Sequence, residues 1–129
     1  MPNHPRTIAA AAAELGVSVD TLRYYERDGL LLRAVPRGGN GHRTYTDVDL
    51  EWIELVTRLR STGMPIRDIR RYAELVRAGS GNETERLAVL TAHRDEVVRQ
   101  LEEVSAHLVA IETKIATYHA RLRPREKSA

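Results

Sequence analysis

The sequence predicts a mainly α protein: a helical head with one small β-hairpin, followed by a very long C-terminal helix. Three observations carry that expectation. Two short helical stretches are each closed by a glycine, at Gly16 and Gly29. A glycine-dense run, "PRGGNG", separates two short segments of strand character. From Leu87 to Leu122, apolar residues alternate by three and four without a slip.

The first helix is expected over Thr7 to Leu15, in "RTIAAAAAELG". Alanine is the best helix former, and Gly16 can take the left-handed conformation that ends a helix. Ser18 then caps a second helix, with Val19 to Asp28 as its body and Gly29 as its terminator. Two short helices joined by a tight glycine turn make a helix-turn-helix. Ala12 is small where the two must approach, and Leu15, Val17, Leu22 and Tyr25 fall on the face the pair would bury.

Leu32 to Val35 and His42 to Tyr45 can pair as strands around residues that tolerate positive φ. A hairpin placed after a helix-turn-helix is a wing, and this one would carry Arg37, Asn40, His42 and Arg43 at or near its tip. Thr46 and Asp49 have the spacing of a capping box for the next helix, whose apolar stripe is Leu50, Ile53, Val56 and Leu59. "STGMP" breaks it, and Pro65 suits the first position of another helix, striped by Ile66, Ile69, Ala73 and Val76. "AGSGN" forms a joint, after which Asn82 and Glu85 can make a second capping box.

The last helix is expected over Glu83 to Leu122. Its seam is Leu87, Leu90, Arg94, Val97, Leu101, Val104, Leu108, Ile111, Ile115, Tyr118 and Leu122. Ten of these eleven positions are apolar or tyrosine, and neither proline nor glycine interrupts them. A heptad seam held over five repeats is the signature of a coiled coil. At roughly 1.5 Å per residue the helix would be about 60 Å long, too long for the head to cover, so a second copy is implied. Arg94 departs from the pattern; its stem can pack while its charge reaches water, or it can fix register. The expected organisation is a winged helix-turn-helix head over 1–77, a linker over 78–82, the dimerisation helix over 83–122 and a short basic tail over 123–129.

Composition narrows the chemistry. With no cysteine, disulfides, thiolate metal sites and cysteine redox switches are excluded. No apolar run approaches the ~20 residues that cross a bilayer, and "MPNHPRT" is not a secretory leader, so a cytoplasmic, membrane-free protein is expected. The net charge of +2 is unevenly spread. Between Arg23 and Tyr45, five arginines face two acids, a local excess of +3, whereas from Ala73 onward nine basic residues balance nine acidic ones. A basic stretch is either a solvated face or a footprint for a polyanion. No enzyme is expected, since there is no cysteine nucleophile or Gly-Lys-Ser/Thr phosphate loop and the carboxylates lie on solvent faces of helices.

The residues "GVSVDTLRYYERDGLL", "NGHRTY" and "LRSTGMPIRDI", in this order of elements, resemble the MerR family of bacterial transcription regulators. The resemblance runs from Thr7 to about Leu122. It implies a winged helix-turn-helix protein that dimerises through an antiparallel coiled coil and binds pseudo-palindromic promoter DNA. Family members act on promoters whose two polymerase elements are too far apart or badly phased. They bend and untwist the duplex so that RNA polymerase engages both. The alternative from another class is an architectural or adaptor protein that binds DNA without an effector-controlled switch.

Several residues follow from that resemblance as candidate DNA contacts. Arg23 is expected at a base edge, where a guanidinium can pair with guanine O6 and N7. Tyr24 is expected outward on backbone or sugar. Tyr25, about 100° further around the helix, is either a core aromatic or a phosphate contact through its hydroxyl. Arg43 and Tyr45 match the family's backbone-contacting pair, with Arg37 and His42 as additions. Arg60, in "LRSTG", is either a contact to the central DNA backbone or a plain surface arginine. Ser18 is first a helix cap, and it and Thr21 sit where helix amides can meet a phosphate. Arg27 is a solvated partner of Glu26 or a phosphate contact. Trp52 and Tyr72 are expected to pack between the head and the partner's coil.

The resemblance also locates the sensing problem. Only Arg123 to Ala129 would follow the long helix, which leaves no room for a drug-binding domain. No cofactor and no metal are expected. A site built from His93, His107 and His119 would need histidines that their spacing does not bring onto one turn. A small organic effector in the crevice between coil and head stays open, as does none at all.

Overall fold

The computed structural model describes residues 5–33 and 44–124. These described residues form five helices: α1 (Ile8–Leu15), α2 (Val19–Arg27), α3 (Asp47–Ser61), α4 (Ile66–Arg77) and α5 (Glu83–Leu122). The expected wing over Leu32 to Tyr45, with Arg37, Asn40, His42 and Arg43, lies mostly outside the described residues. Among the described residues the only β pairing is an antiparallel bridge between Arg6 and Tyr45, with both backbone bonds at 2.8 Å.

Local chemistry sets the ends of the first two helices. Thr7 accepts from the Ala10 amide and caps α1, so Thr7 is the cap rather than the first helical residue. Gly16 has φ +70°, and its amide closes onto the Ala12 and Ala13 carbonyls. Ser18 caps α2 by accepting from the Thr21 amide at 3.0 Å. Gly29 follows with φ +73°, a conformation that a side chain would strain.

The capping box at α3 is complete. The Thr46 hydroxyl accepts from the Asp49 amide, and Asp49 accepts from the Thr46 amide at 2.9 Å. Pro65 stands one position earlier than expected, at the cap of α4. At the start of α5 the bonding differs from the expected box. Asn82 donates to the Leu75 carbonyl at 2.8 Å and accepts from Arg86 at 2.6 Å, while Glu83 receives the Gly81 amide at 2.9 Å. Asn82 thereby ties α5 back to the end of α4, an option that needs the two helices to be neighbours.

The chain divides into two compact units, Met1–Thr91 and Ala92–Ala129. The first has its own core, built from Leu22, Tyr25, Leu30, Tyr45, Ile53, Val56 and Ile69, with Ala11 and Ala12 where α1 meets its neighbours. Leu15, Val17, Ile66, Val76, Val89 and Leu90 pack around it. The first turns of α5 therefore belong with the head. Arg6 ties the segment before α1 into this unit by pairing with Glu14 at 3.0 Å and with Asp47. Those two carboxylates, Asp47 first, raise the Arg6 pKa above its ordinary value.

The second unit is the remainder of α5, a single helix with no buried residue. Its expected seam residues Leu101, Val104, Leu108, Ile111, Ile115, Tyr118 and Leu122 are all exposed. Arg94 is exposed and pairs with Asp95 at 3.0 Å.

Candidate nucleic-acid interface

Helix α2 presents two faces, and the partition follows from its 3.6-residue turn. Leu22 and Tyr25 point into the core. Ser18, Asp20, Arg23 and Arg27 are exposed, and Thr21 and Tyr24 are partly so. Among the described residues Arg23 makes a long, solvent-exposed contact to Asp20 at 3.5 Å, which leaves its guanidinium available for a partner with better geometry. The Ser18 and Thr21 hydroxyls lie 2.8 Å apart at the helix N-terminus. There, unsatisfied amides and the positive end of the helix dipole favour an anion.

Beside them, Tyr24 gathers two arginines. The Arg60 guanidinium lies 5.0 Å from the Tyr24 ring centroid and donates to its hydroxyl at 3.3 Å. Arg27 lies 5.7 Å from the same ring. Each cation is drawn to the negative face of the ring. Residues 36 positions apart are thus brought together into one exposed cationic patch around an aromatic. Such a patch can hold phosphate oxygens with guanidinium donors while the ring lies against a sugar. Arg60 is accordingly more than an isolated surface arginine.

Two expected contacts are corrected. Tyr25 is 2% exposed, and its hydroxyl meets the Thr57 hydroxyl of α3 at 3.3 Å. One position beyond Tyr24, it is turned into the core and cannot present that hydroxyl to a phosphate. Tyr45 is fully buried, its backbone paired with Arg6, so its side chain is core rather than a DNA-backbone contact. Arg37, His42 and Arg43 lie outside the described residues.

Trp52 and Tyr72 stack on each other within the head, with centroids 5.6 Å apart and planes 10° apart. The Trp52 indole donates to the Leu30 carbonyl at 2.7 Å. Two further residues escaped the sequence reading. Arg70 donates to the Asp28 carbonyl at 2.8 Å, and Arg77 donates to the carbonyls of Gly29 at 3.2 Å and Leu31 at 2.5 Å. Their seven-residue spacing on α4 puts them on one edge of the helix, but nothing in it says which carbonyls they meet. Arg33 pairs with Asp49 at 2.8 Å, joining the capping box of α3 to the same stretch of chain.

Comparison with known proteins agrees with this arrangement. A family model described as MerR HTH family regulatory protein matches residues 6–75, and one described as MerR, DNA binding matches residues 50–113. An HTH-type transcriptional regulator of Haemophilus influenzae is 39% identical over 112 residues, 87% of this chain and 82% of the relative. The crystal structure of HiNmlR, a MerR family regulator lacking the sensor domain and bound to promoter DNA, matches with a TM-score of 0.81 at 38% identity. That match covers 91% of this chain and 92% of HiNmlR. A MerR family transcriptional regulator from Listeria monocytogenes matches with a TM-score of 0.85 at 32% identity, covering 91% and 88% of the two chains. The helix-turn-helix, its exposed cationic face and these matches lead to one identification: the chain belongs to the MerR family of HTH-type transcription regulators.

Proposed function

We propose that this regulator acts as a homodimer on a pseudo-palindromic promoter operator, which it bends and untwists to control initiation by RNA polymerase. The observation that carries the reading is the exposed patch of Tyr24, Arg27 and Arg60 beside Arg23 on the outer face of α2. In this reading Arg23 meets a guanine edge, and Tyr24, Arg27 and Arg60 hold sugar and phosphate. Ser18, Thr21 and the α2 amides receive a further phosphate. Arg37, His42 and Arg43 add contacts from the expected wing.

Dimerisation is proposed through Leu87, Leu90, Val97, Leu101, Val104, Leu108, Ile111, Ile115, Tyr118 and Leu122; all of these but the half-buried Leu90 and Val97 are apolar or tyrosine side chains that α5 leaves in water. An antiparallel coiled coil would place two heads on two half-sites, matching protein symmetry to operator symmetry. Support for promoter DNA as the target comes from HiNmlR, which was crystallised on it. Among the described residues no helix is long and apolar enough to cross a membrane, in keeping with action on DNA in the cytoplasm.

Run-off transcription from a promoter with an overlong spacer tests the reading. Purified protein should change transcript yield, and binding without any such change would favour an architectural role instead. At the residue level, Arg23→Ala should cost about 1–3 kcal/mol of discrimination between duplexes and broaden the footprint preference. An unchanged preference would remove Arg23 from the interface.

A further inference from the structure

The chain leaving α2 is held in an unusual way: each of the four carbonyls from Asp28 to Leu31 accepts a hydrogen bond from a side chain of α3 or α4. Arg70 donates to Asp28, Arg77 to Gly29 and Leu31, and Trp52 to Leu30. The last carbonyls of a helix lack partners within it and carry the negative end of its dipole, so a guanidinium at the Asp28 cap of α2 is favoured twice over. Arg70 also covers Gly29 with its stem, whose atoms lie 3.9–4.0 Å from where a Cβ at Gly29 would stand. The three donors come from two helices and converge on four consecutive residues. That over-determines where α2 ends and at what angle it meets the rest of the head.

From this geometry we infer that Arg70 and Arg77 are positioning residues for DNA recognition. They fix the exit of α2, and through it the aim of Arg23, Tyr24 and Arg27, without touching the duplex themselves. The inference rests on the DNA-binding reading above. A guanidinium bonded to backbone carbonyls keeps its charge, but those bonds aim it at its own chain, so a residue used in this way leaves a different signature from a contact. Losing a phosphate contact weakens all duplexes alike and lowers the salt slope by about one unit. Losing a positioning bond misaligns base readout, so it weakens the preferred duplex while leaving non-specific binding and the salt slope unchanged.

The test uses the full chain and the tightest-binding duplex selected from a random-sequence pool, against a scrambled duplex of equal length. Affinities are measured across a salt series, with unfolding followed in parallel. Arg77→Ala, at an exposed position, should lose about tenfold on the selected duplex, the equivalent of a single directional interaction. It should bind the scrambled duplex as wild type does, with the same slope, and still unfold in one cooperative transition whose midpoint falls by no more than the two lost carbonyl bonds entail. Arg77→Lys keeps a donor for the Leu31 carbonyl and should recover most of the loss. Equal losses on both duplexes with a shallower slope would make Arg77 a DNA contact and overturn the inference, as would an unchanged ratio between the duplexes. If Arg77→Ala does not fold, Arg77→Met, which keeps the stem without the donors, carries the test by the same criterion, keeping the slope while losing affinity only on the selected duplex. If wild-type protein enriches no duplex, the DNA-binding reading fails first and takes this inference with it. Enrichment by wild type with no effect of the variants overturns the inference alone.

Discussion

In the head, Leu22, Leu30, Ile53, Val56 and Ile69 are completely buried, whereas between Ala92 and Leu122 no side chain of α5 is buried. Both regions are helical and both carry apolar residues at helical spacing. They differ in whether the chain itself supplies the opposite face. In the head, α1, α2, α3 and α4 are short enough to fold back on each other, and each apolar stripe finds another. In α5, once past the first turns that belong with the head, the stripe continues to Leu122 without a buried side chain. An amphipathic stripe is therefore only half of a packing instruction, since the other half is a partner surface. For the head the partner is local; for α5 we propose a second copy.

The largest effect should come from breaking that partnership. Leu108→Glu combined with Ile111→Glu places charges at two seam positions that are 51% and 57% exposed in the single chain. Each apolar side chain is worth about 1.5–3 kcal/mol on burial, so the loss counted over two copies should convert a dimer into monomers by light scattering. Trp52, the only tryptophan, reports the head alone, and its fluorescence should remain native-like. A protein that stays dimeric would put the interface elsewhere. A head that unfolds would show that its core is not self-sufficient.

Ile53→Ala probes the other side of the comparison. Removing this fully buried side chain should cost about 2–5 kcal/mol in denaturant unfolding followed by Trp52 fluorescence. Ile111→Ala should leave the same transition unmoved when the protein is monomeric. Equal effects from the two substitutions would erase the distinction between head and helix.

A smaller effect separates core from interface within α2. Tyr25→Phe removes the hydroxyl that meets Thr57 and should cost about 0.5–1.5 kcal/mol of stability, while DNA affinity and its salt slope stay as in wild type. A shallower salt slope would return Tyr25 to the interface.

The smallest effect concerns the start of α5. The Glu83 carboxylate is held below the ordinary carboxylate range by bonds from its own amide and then from Gly81. A group whose folded pKa is depressed stabilises the fold above its unfolded value and loses that contribution as pH falls through the folded value. Wild-type protein should therefore lose slightly more stability than Glu83→Gln when thermal unfolding is compared from neutral pH down through the carboxylate range. Parallel pH profiles would show that the bonds at Glu83 contribute nothing to folding.

Much of this protein is legible in its sequence because local chemistry dictates it. Gly16 and Gly29 mark turns that require positive φ, and Ser18 and Thr46 cap helices by bonds that span only three residues. The heptads of α5 are likewise read directly, since a helix uninterrupted by proline or glycine keeps its register along its whole length. Within the candidate interface, the DNA-facing roles of Arg23 and Tyr24 come from the family resemblance, and Arg27 is left in the sequence as either a solvated partner of Glu26 or a phosphate contact. The expected split of Tyr24 and Tyr25 onto different faces follows from the same 100° step, but which of the two alternatives held for Tyr25 depended on Thr57 of α3.

What only the tertiary structure decided are the long-range polar contacts. The meeting of Arg60 with Tyr24, the burial of Tyr45 against the Arg6 bridge and the hold of Arg70, Arg77 and Trp52 on residues 28–31 join positions 22 to 48 residues apart, with Tyr45 and Arg6 39 apart. An arginine in sequence looks the same whether it reaches a phosphate, a carboxylate, a tyrosine ring or a backbone carbonyl, because its long side chain leaves its partner open. By itself the sequence determined the helices, their ends, the outward face of α2 and the apolar row of α5, all of which depend on residues within a turn or two. The fold alone decided which arginines face outward and which brace the helix that carries them, because that choice is made by neighbours in space.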